Sequence, residues 1–321
     1  SAAHPLAAPG VTSLTNPEVR YKIAESHHVV LRRGDVTAIV VDNAAVDVPE
    51  LPGHRAGYSG LASLSHRKHP RNLFVPAYAG LNFEHIHDGT TAGLLEKFEP
   101  RRFPMRLRLI DPHTVELYQE PTGNWKLESC GRYRLLEDGT VEYTFECIPR
   151  AGGYRNGYIG LFWASYIDRP GKKSIFFKGR GRGEAGRPGW IEGITPAHGT
   201  ESTHGPYHSP DLPEVDADFP LTLVNHPSRH LYTEPWYFGV SHGMAFVQMF
   251  RPRDGIWLAQ SPSGGGATNP AWDFQWFIPD PKVGEAYGFV MRAAYLPFKS
   301  REQIEKATAG HRKALGVPRA R

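Results

Sequence analysis

The sequence predicts a mainly β protein: one large antiparallel sandwich carrying a single C-terminal surface helix. Three observations predict it. Short segments rich in Val, Ile, Tyr, Phe and Trp recur along the 321 residues. They are punctuated by 34 Gly and 28 Pro, which end strands and form turns. Only one stretch, near the C-terminus, has the caps of a helix. Hydrophobic residues make up 40% and charged residues 22%, a balance that supports a packed core and argues against disorder. A jelly-roll pair satisfies the same composition.

Residues 1–18 are rich in Pro and Ala and read as an extended arm. The opening Ser1-Ala2-Ala3-His4-Pro5 has the small residues of a processed end, which leads us to expect a secreted or periplasmic protein with its signal peptide removed. A β-domain follows over 19–298, and a helix with its tail over 299–321. Strands are expected near 28–31 and 37–41, with a loop-like stretch over 50–72. The motif strand comes next, within Asn82-Phe83-Glu84-His85-Ile86-His87-Asp88-Gly89. Further strands are expected at 105–110, 113–119, 125–136, 140–148, 157–166 and 173–178, then at 219–224, 244–250, 255–260, 273–278 and 286–295. The stretch 179–218 is long, polar and rich in Gly, Pro and His, as functional loops are. At the end, Ser300 and Gln303 form a capping-box pattern for a helix that stops at Gly316.

Two cysteines flank the hairpin signal Asp138-Gly139. A two-residue loop there makes Cys130 and Cys147 direct cross-strand neighbours, on a pair without backbone hydrogen bonds, where α-carbons lie closest. The pair is then either a disulfide or two buried thiols.

Composition and motifs remove several functions. A net charge of +4, with both signs interspersed and no basic stripe, does not suggest nucleic-acid binding. No apolar run approaches the 18 or so residues of a membrane-spanning helix. Gly181, Gly183 and Gly186 match a dinucleotide fingerprint in letters only, because Arg187-Pro188-Gly189 follows where a helix must begin.

The chemistry concentrates in histidine, of which there are 16. His85 and His87, two apart on a strand, share a face and are candidates to bind a divalent metal or to act as an acid–base pair. His204 and His208 in the long loop are the matching metal candidates. Two ligands alone make an incomplete site, so a third must come from elsewhere in the chain. His242 and Glu201 are further catalytic candidates. Trp236 and Trp276 are candidate stacking platforms for a sugar, with Gln275 and Arg55 as polar partners. The carboxylates Glu84, Asp88, Glu201 and Glu234 are available to a hydrolase.

On His85-Ile86-His87-Asp88-Gly89, and on the closing strands Gly255-Ile256-Trp257-Leu258-Ala259-Gln260 and Val283-Gly284-Glu285-Ala286-Tyr287, the chain resembles the galactose-mutarotase-like (aldose 1-epimerase-like) β-supersandwiches. The resemblance implies a sugar-binding supersandwich with His87 at the catalytic place. The strand that carries a Glu in mutarotases reads Trp257-Leu258-Ala259-Gln260 here, and Phe162–Asp168 lacks the family's second His. The expected function is therefore glycosidic-bond cleavage in a glycan, by lyase or hydrolase chemistry. Aldose 1-epimerase-like isomerisation and non-catalytic sugar binding are the alternatives.

Overall fold

The computed structural model describes residues 5–317, so the first residues of the predicted arm and the last of the tail lie outside the described residues. Its strands are β1 (Lys22–Ile23), β2 (His28–Arg33), β3 (Val36–Val41), β4 (Gly60–His66), β5 (Asn82–His87), β6 (Met105–Asp111), β7 (Thr114–Gln119), β8 (Leu127–Leu135) and β9 (Val141–Pro149). They continue as β10 (Tyr158–Ala164), β11 (Ile175–Gly181), β12 (Gly189–Gly193), β13 (Thr203–His204), β14 (His230–Ser241), β15 (Met244–Phe250), β16 (Trp257–Ser261), β17 (Ala271–Pro279) and β18 (Tyr287–Pro297). Two α-helices join them, the single turn α1 (Glu99–Arg102) and α2 (Arg301–Ala314).

Ten strands form one sheet in the order β1-β6-β7-β8-β9-β18-β15-β14-β11-β12. Five form a second, β13-β16-β17-β10-β5, and β2-β3-β4 form a third. The ladders are antiparallel throughout, as the mainly β reading expects. The ten- and five-stranded sheets enclose an aromatic core centred on Trp163. Its ring stacks between Phe83 at 5.0 Å and Phe274 at 5.3 Å and meets Phe145 edge-on. Alternation supplies that core, broken on β5 by one extra residue between Phe83 and His85. Phe83, Trp163, Phe274 and Trp276 point inward from the five-stranded sheet, while His85, Phe162, Asp273 and Gln275 point outward.

The helix forms as expected. Ser300 Oγ accepts from the Gln303 N–H, and α2 packs Ile304 and Leu315 against the outer face of the large sheet. The described part of the arm is docked. Thr12, Ser13 and Thr15 donate to the buried carboxylates of Glu146 and Glu116, which tie it to the same sheet.

Three expectations are corrected. The stretch 50–72 holds β4, which pairs with β3 in the small sheet. Residues 219–224 form no strand: Phe219, Leu221 and Val224 lie buried on the outer face of the five-stranded sheet as part of a strap. The β8–β9 hairpin has three loop residues, Glu137, Asp138 and Gly139, closed by Leu136 and Thr140, with Gly139 at φ 85°. That one-residue change slips the register, so Cys147 opposes Ser129 and Cys130 opposes Glu146. A one-residue slip flips the face of the side chain, and both cysteines are free and buried.

Candidate active site

The site lies on the outer face of the five-stranded sheet, where polar side chains sit beneath the strap that carries Phe219, Leu221 and Val224. A bulge builds it. Phe162 opposes His85 and Trp163 opposes Phe83, so Glu84 is the extra residue on β5. The bulge turns Glu84 and His85, adjacent in sequence, toward one pocket. The pocket has a volume of about 160 Å³. Glu84, His85, Phe162, Tyr166 and Asp273 line it from the sheet side, Leu221 and Val224 from the strap, and Lys97 and His198 from neighbouring loops. A void of roughly 150 Å³ holds one benzene ring, so this space fits one small ring and not a polymer segment.

Glu84 is held from two directions. Its Oε1 accepts from Arg101 Nη2 and from the Tyr166 hydroxyl, both side chains of a buried network. Arg101 also donates to Tyr166 and stacks over Tyr58 and Phe98, each at 4.1 Å. Burial, and then the Glu84 charge, push the Tyr166 phenol well above its ordinary range, so it stays a donor.

His85 has its tautomer set by a backbone oxygen. Nδ1 lies 2.5 Å from the Lys97 carbonyl, which can only accept, so Nδ1 carries the proton of the neutral ring. Nε2 is then a bare lone pair, 3.7 Å from Glu84 Oε2. Burial lowers the His85 pKa and keeps the ring neutral below its usual titration range.

Asp273 is the third member. It is fully buried; Oδ1 accepts from the Ser165 N–H at 2.9 Å and Oδ2 has no partner. Burial, and then the nearby Glu84 charge, raise its pKa well above the ordinary carboxylate value, which favours the protonated acid. Arg101 pairs with one carboxyl, Glu84, while burial favours the protonated form of the other, Asp273.

The predicted residues are scattered by comparison. His87 shares the outward face with His85, but it lies outside the pocket, with Nδ1 accepting from the Gly89 N–H and Nε2 buried without a partner. Burial pushes it down to about 3. His204 points inward against Phe177, bonded to Ser228 and Gln260. His208 is exposed beside Tyr207. His242 is exposed at the β14–β15 turn, stacked on His69 and touching Arg71. His85, His87, His204 and His208 therefore do not converge, and no group of three or more His, Cys, Asp or Glu is placed to hold a metal among the described residues. Glu201 is exposed away from the pocket.

The aromatic candidates are corrected as well. Trp236 is fully buried beneath α2, with the Arg312 guanidinium 4.3 Å from its ring centre. Trp276 packs in the core against Phe289 at 5.0 Å. Neither presents a face to a ligand. Gln275 is on the outward face, buried, and donates to the Val224 carbonyl under the strap. Arg55 is exposed, 6.0 Å from the Tyr78 ring, and does not line the pocket. Asp88 holds its turn through Thr90 and Arg155, and Glu234 faces Lys178.

Sequence reasoning missed Asp273, Tyr166 and Arg101. Asp273 carried a signal: in Trp272-Asp273-Phe274-Gln275-Trp276 the aromatic residues alternate with the polar ones. A carboxylate on the second face of such a strand is either solvated or functional. Nothing in the sequence places Arg101, which reaches Glu84 from a four-residue helical turn.

No family model matches the chain. It is 27% identical over 162 residues to a protein of Trichophyton verrucosum (strain HKI 0517) described as a mitochondrial carrier protein, covering 48% of this chain and 37% of that one. The chain thus spans little more than a third of that relative's length. None of the described helices is long and apolar enough to cross a membrane. Similar solved structures include a protein of Escherichia coli K12 described as an aldose 1-epimerase, with a TM-score of 0.48 and 10% identity, over 84% of this chain and 99% of that one. They also include heparan sulfate lyase HepC from Pedobacter heparinus, with a TM-score of 0.40 and 10% identity, over 86% and 37% of the two chains. A third is the α-N-acetylgalactosaminidase NagBb from Bifidobacterium bifidum, with a TM-score of 0.48 and 8% identity, over 90% and 39%. Aldose 1-epimerase folds are thus among its structural neighbours.

Proposed function

We propose that the protein is a carbohydrate-active enzyme that moves protons at the anomeric centre of a single sugar unit held in this pocket. The observation that carries the reading is the pairing, in one pocket, of a buried carboxyl, Asp273, whose Oδ2 has no partner, with an imidazole whose Nε2 is a free acceptor, His85. Opening a pyranose needs both. His85 Nε2 takes the proton of the anomeric hydroxyl as the carbonyl forms. The ring C–O bond breaks, and Asp273 protonates the departing ring oxygen. Arg101 and Tyr166 hold Glu84 beside His85, where its negative charge stabilises the imidazolium that forms.

The same acid assists departure of an aglycone when the sugar is the end of a chain. Cleavage of a terminal residue is the second reading, and the two carboxyl groups lining one pocket favour it. The pocket's size argues against attack within an extended polysaccharide.

The test is a panel of free sugars followed by proton NMR for anomer exchange, and of oligosaccharides followed for new reducing ends. Turnover should fall at least a hundredfold in Asp273→Asn and His85→Gln, consistent with loss of a positioned acid or base. Burial lowers the His85 pKa and raises that of Asp273, so the active window should open below pH 6.5 as His85 becomes neutral and close above the ordinary carboxylate range as Asp273 loses its proton. No turnover and no saturation transfer to any sugar would remove the reading.

A further inference from the structure

His87 has a polar atom that the closed structure leaves without use. Its Nδ1 accepts from the Gly89 N–H, so the neutral ring carries its proton on Nε2. That N–H is fully buried and has no partner. Leaving a buried donor unpaired costs about 1–3 kcal/mol, and such groups call for an explanation. The ring lies flat on the sheet only because position 160 is glycine. A Cβ there would stand 2.4 Å from the His87 ring. What covers the imidazole is aromatic: Phe219 at 5.1 Å, with Tyr158 at 6.2 Å and Phe277 at 6.3 Å.

Phe219 belongs to the strap, and the strap is held at its ends. On one side the Asp216 N–H bonds to the Gly89 carbonyl, the Thr91 N–H bonds to Asp216, and the Thr91 hydroxyl bonds to Asp218. On the other, the Leu223 carbonyl accepts from Thr203 and the His226 carbonyl from the Ser202 and Thr203 N–H groups. Between these anchors the backbone–backbone hydrogen bonds of residues 217–222 stay within the strap. Within it the Asp218 carboxylate accepts from Thr91, the Thr222 carbonyl accepts from His226 Nδ1, and Phe219 and Leu221 add the clamp of their burial. The same segment roofs the pocket through Pro220, Leu221 and Thr222. One displacement therefore uncovers both the pocket and His87, which lies two residues, about 6.7 Å, along β5 from His85.

We propose that residues 217–222 are a lid, and that its opening exposes a second sugar subsite floored by Gly160, where the His87 Nε2–H donates to a hydroxyl or ring oxygen of the neighbouring unit. The second part rests on the sugar reading of the pocket; the lid itself does not. With the lid open, the cleft runs from Asp273 and His85 to His87 and takes two units where the closed pocket takes one.

Hydrogen exchange with mass spectrometry, together with acylation of histidine by diethyl pyrocarbonate mapped to each peptide, tests both parts. In the intact protein the lid peptide should exchange faster than peptides of β10 and β17, and His87 should acylate slowly. Phe219→Ala removes the clamp and should speed both by about ten- to a hundredfold, from the burial energy of one Phe, with β10 and β17 still protected. Asp216→Ala, which loosens a polar anchor without touching the core, should act the same way more weakly, and it decides the matter if Phe219→Ala does not fold. Lactose and cellobiose should then protect the lid at least tenfold better than galactose and glucose, and His87→Phe should erase that difference. If His87 stays unmodified in both variants while the lid exchanges as slowly as β17, the lid is refuted. If the lid opens but disaccharides and monosaccharides protect alike, the subsite is refuted. If the lid opens and no sugar protects it, the sugar reading fails and the lid stands.

Discussion

Replacing Arg101 with Met should destabilise the fold far more than removing one surface charge does. Only 11% of the Arg101 side chain and 6% of the Glu84 side chain are exposed, so the pair is screened little by solvent. Met fills much of the same volume between Tyr58 and Phe98 but leaves the Glu84 carboxylate with Tyr166 as its one remaining donor. Breaking a buried ion pair from one side costs about 3–5 kcal/mol, whereas replacing both partners is close to neutral. The double variant Arg101→Met/Glu84→Gln should therefore recover most of the loss, with a coupling energy above about 2 kcal/mol. Urea unfolding followed by tryptophan fluorescence at pH 7.5 measures all four corners of the cycle. A loss below about 1 kcal/mol in Arg101→Met, or strict additivity in the double variant, would refute the claim that Arg101 holds Glu84 as a buried anion. The part given to Glu84 in stabilising the His85 imidazolium would fall with it.

Asp273→Asn should stabilise the protein while stopping turnover. The folded-state pKa of Asp273 is raised, so stability falls as pH rises above the ordinary carboxylate range; the advantage of Asn should be absent near pH 3.5 and grow by up to about 1.4 kcal/mol per pH unit above it. A variant less stable than the parent at pH 8 would contradict this. A thiol reagent should find two reactive cysteines per chain after denaturation without reductant and almost none before, because Cys130 and Cys147 are buried with raised pKa values; zero after denaturation would mean a disulfide. Trp236→Ala and Trp276→Ala should each cost about 3–5 kcal/mol of stability as core deletions. Weakened sugar binding in a variant that keeps its stability would return either residue to the site.

The layers of the fold were legible because period-two alternation survives in nearly every strand. Trp272, Phe274 and Trp276 alternate with Asp273 and Gln275, and the structure puts the two sets on opposite faces. Short-range chemistry was legible too: Ser300 caps α2 through Gln303 as its spacing implies. What failed depended on one residue more or less. The three-residue turn at Glu137-Asp138-Gly139 separates Cys130 from Cys147, and the bulge at Glu84 rotates a carboxylate into the pocket. Neither inserted residue changes composition or pattern locally. The histidine count misled for a related reason. His204 satisfies Ser228 and Gln260 inside the core, and His242 sits at a turn, so a cluster in sequence is not a cluster in space.

The strongest argument for a functional face is its energetic cost. Ala271, Phe162 and Ala164 show that the outward face of the five-stranded sheet is largely a second apolar core under the strap. Into it the sequence places Glu84, His85, His87, Asp273 and Gln275, all buried. Three of them keep an atom without a partner: His87 Nε2, Asp273 Oδ2 and Gln275 Oε1. Apolar side chains of like size would pack the same strands without those desolvation penalties. Buried polar atoms without a partner also occur elsewhere among the described residues, at Gln119, Gln248 and Tyr295 for example, but here they gather beside one pocket, with His85 and Asp273 lining it. The tautomer forced on His85 by the Lys97 carbonyl gives that face a direction, because it leaves the base on the pocket side and the proton on the backbone side.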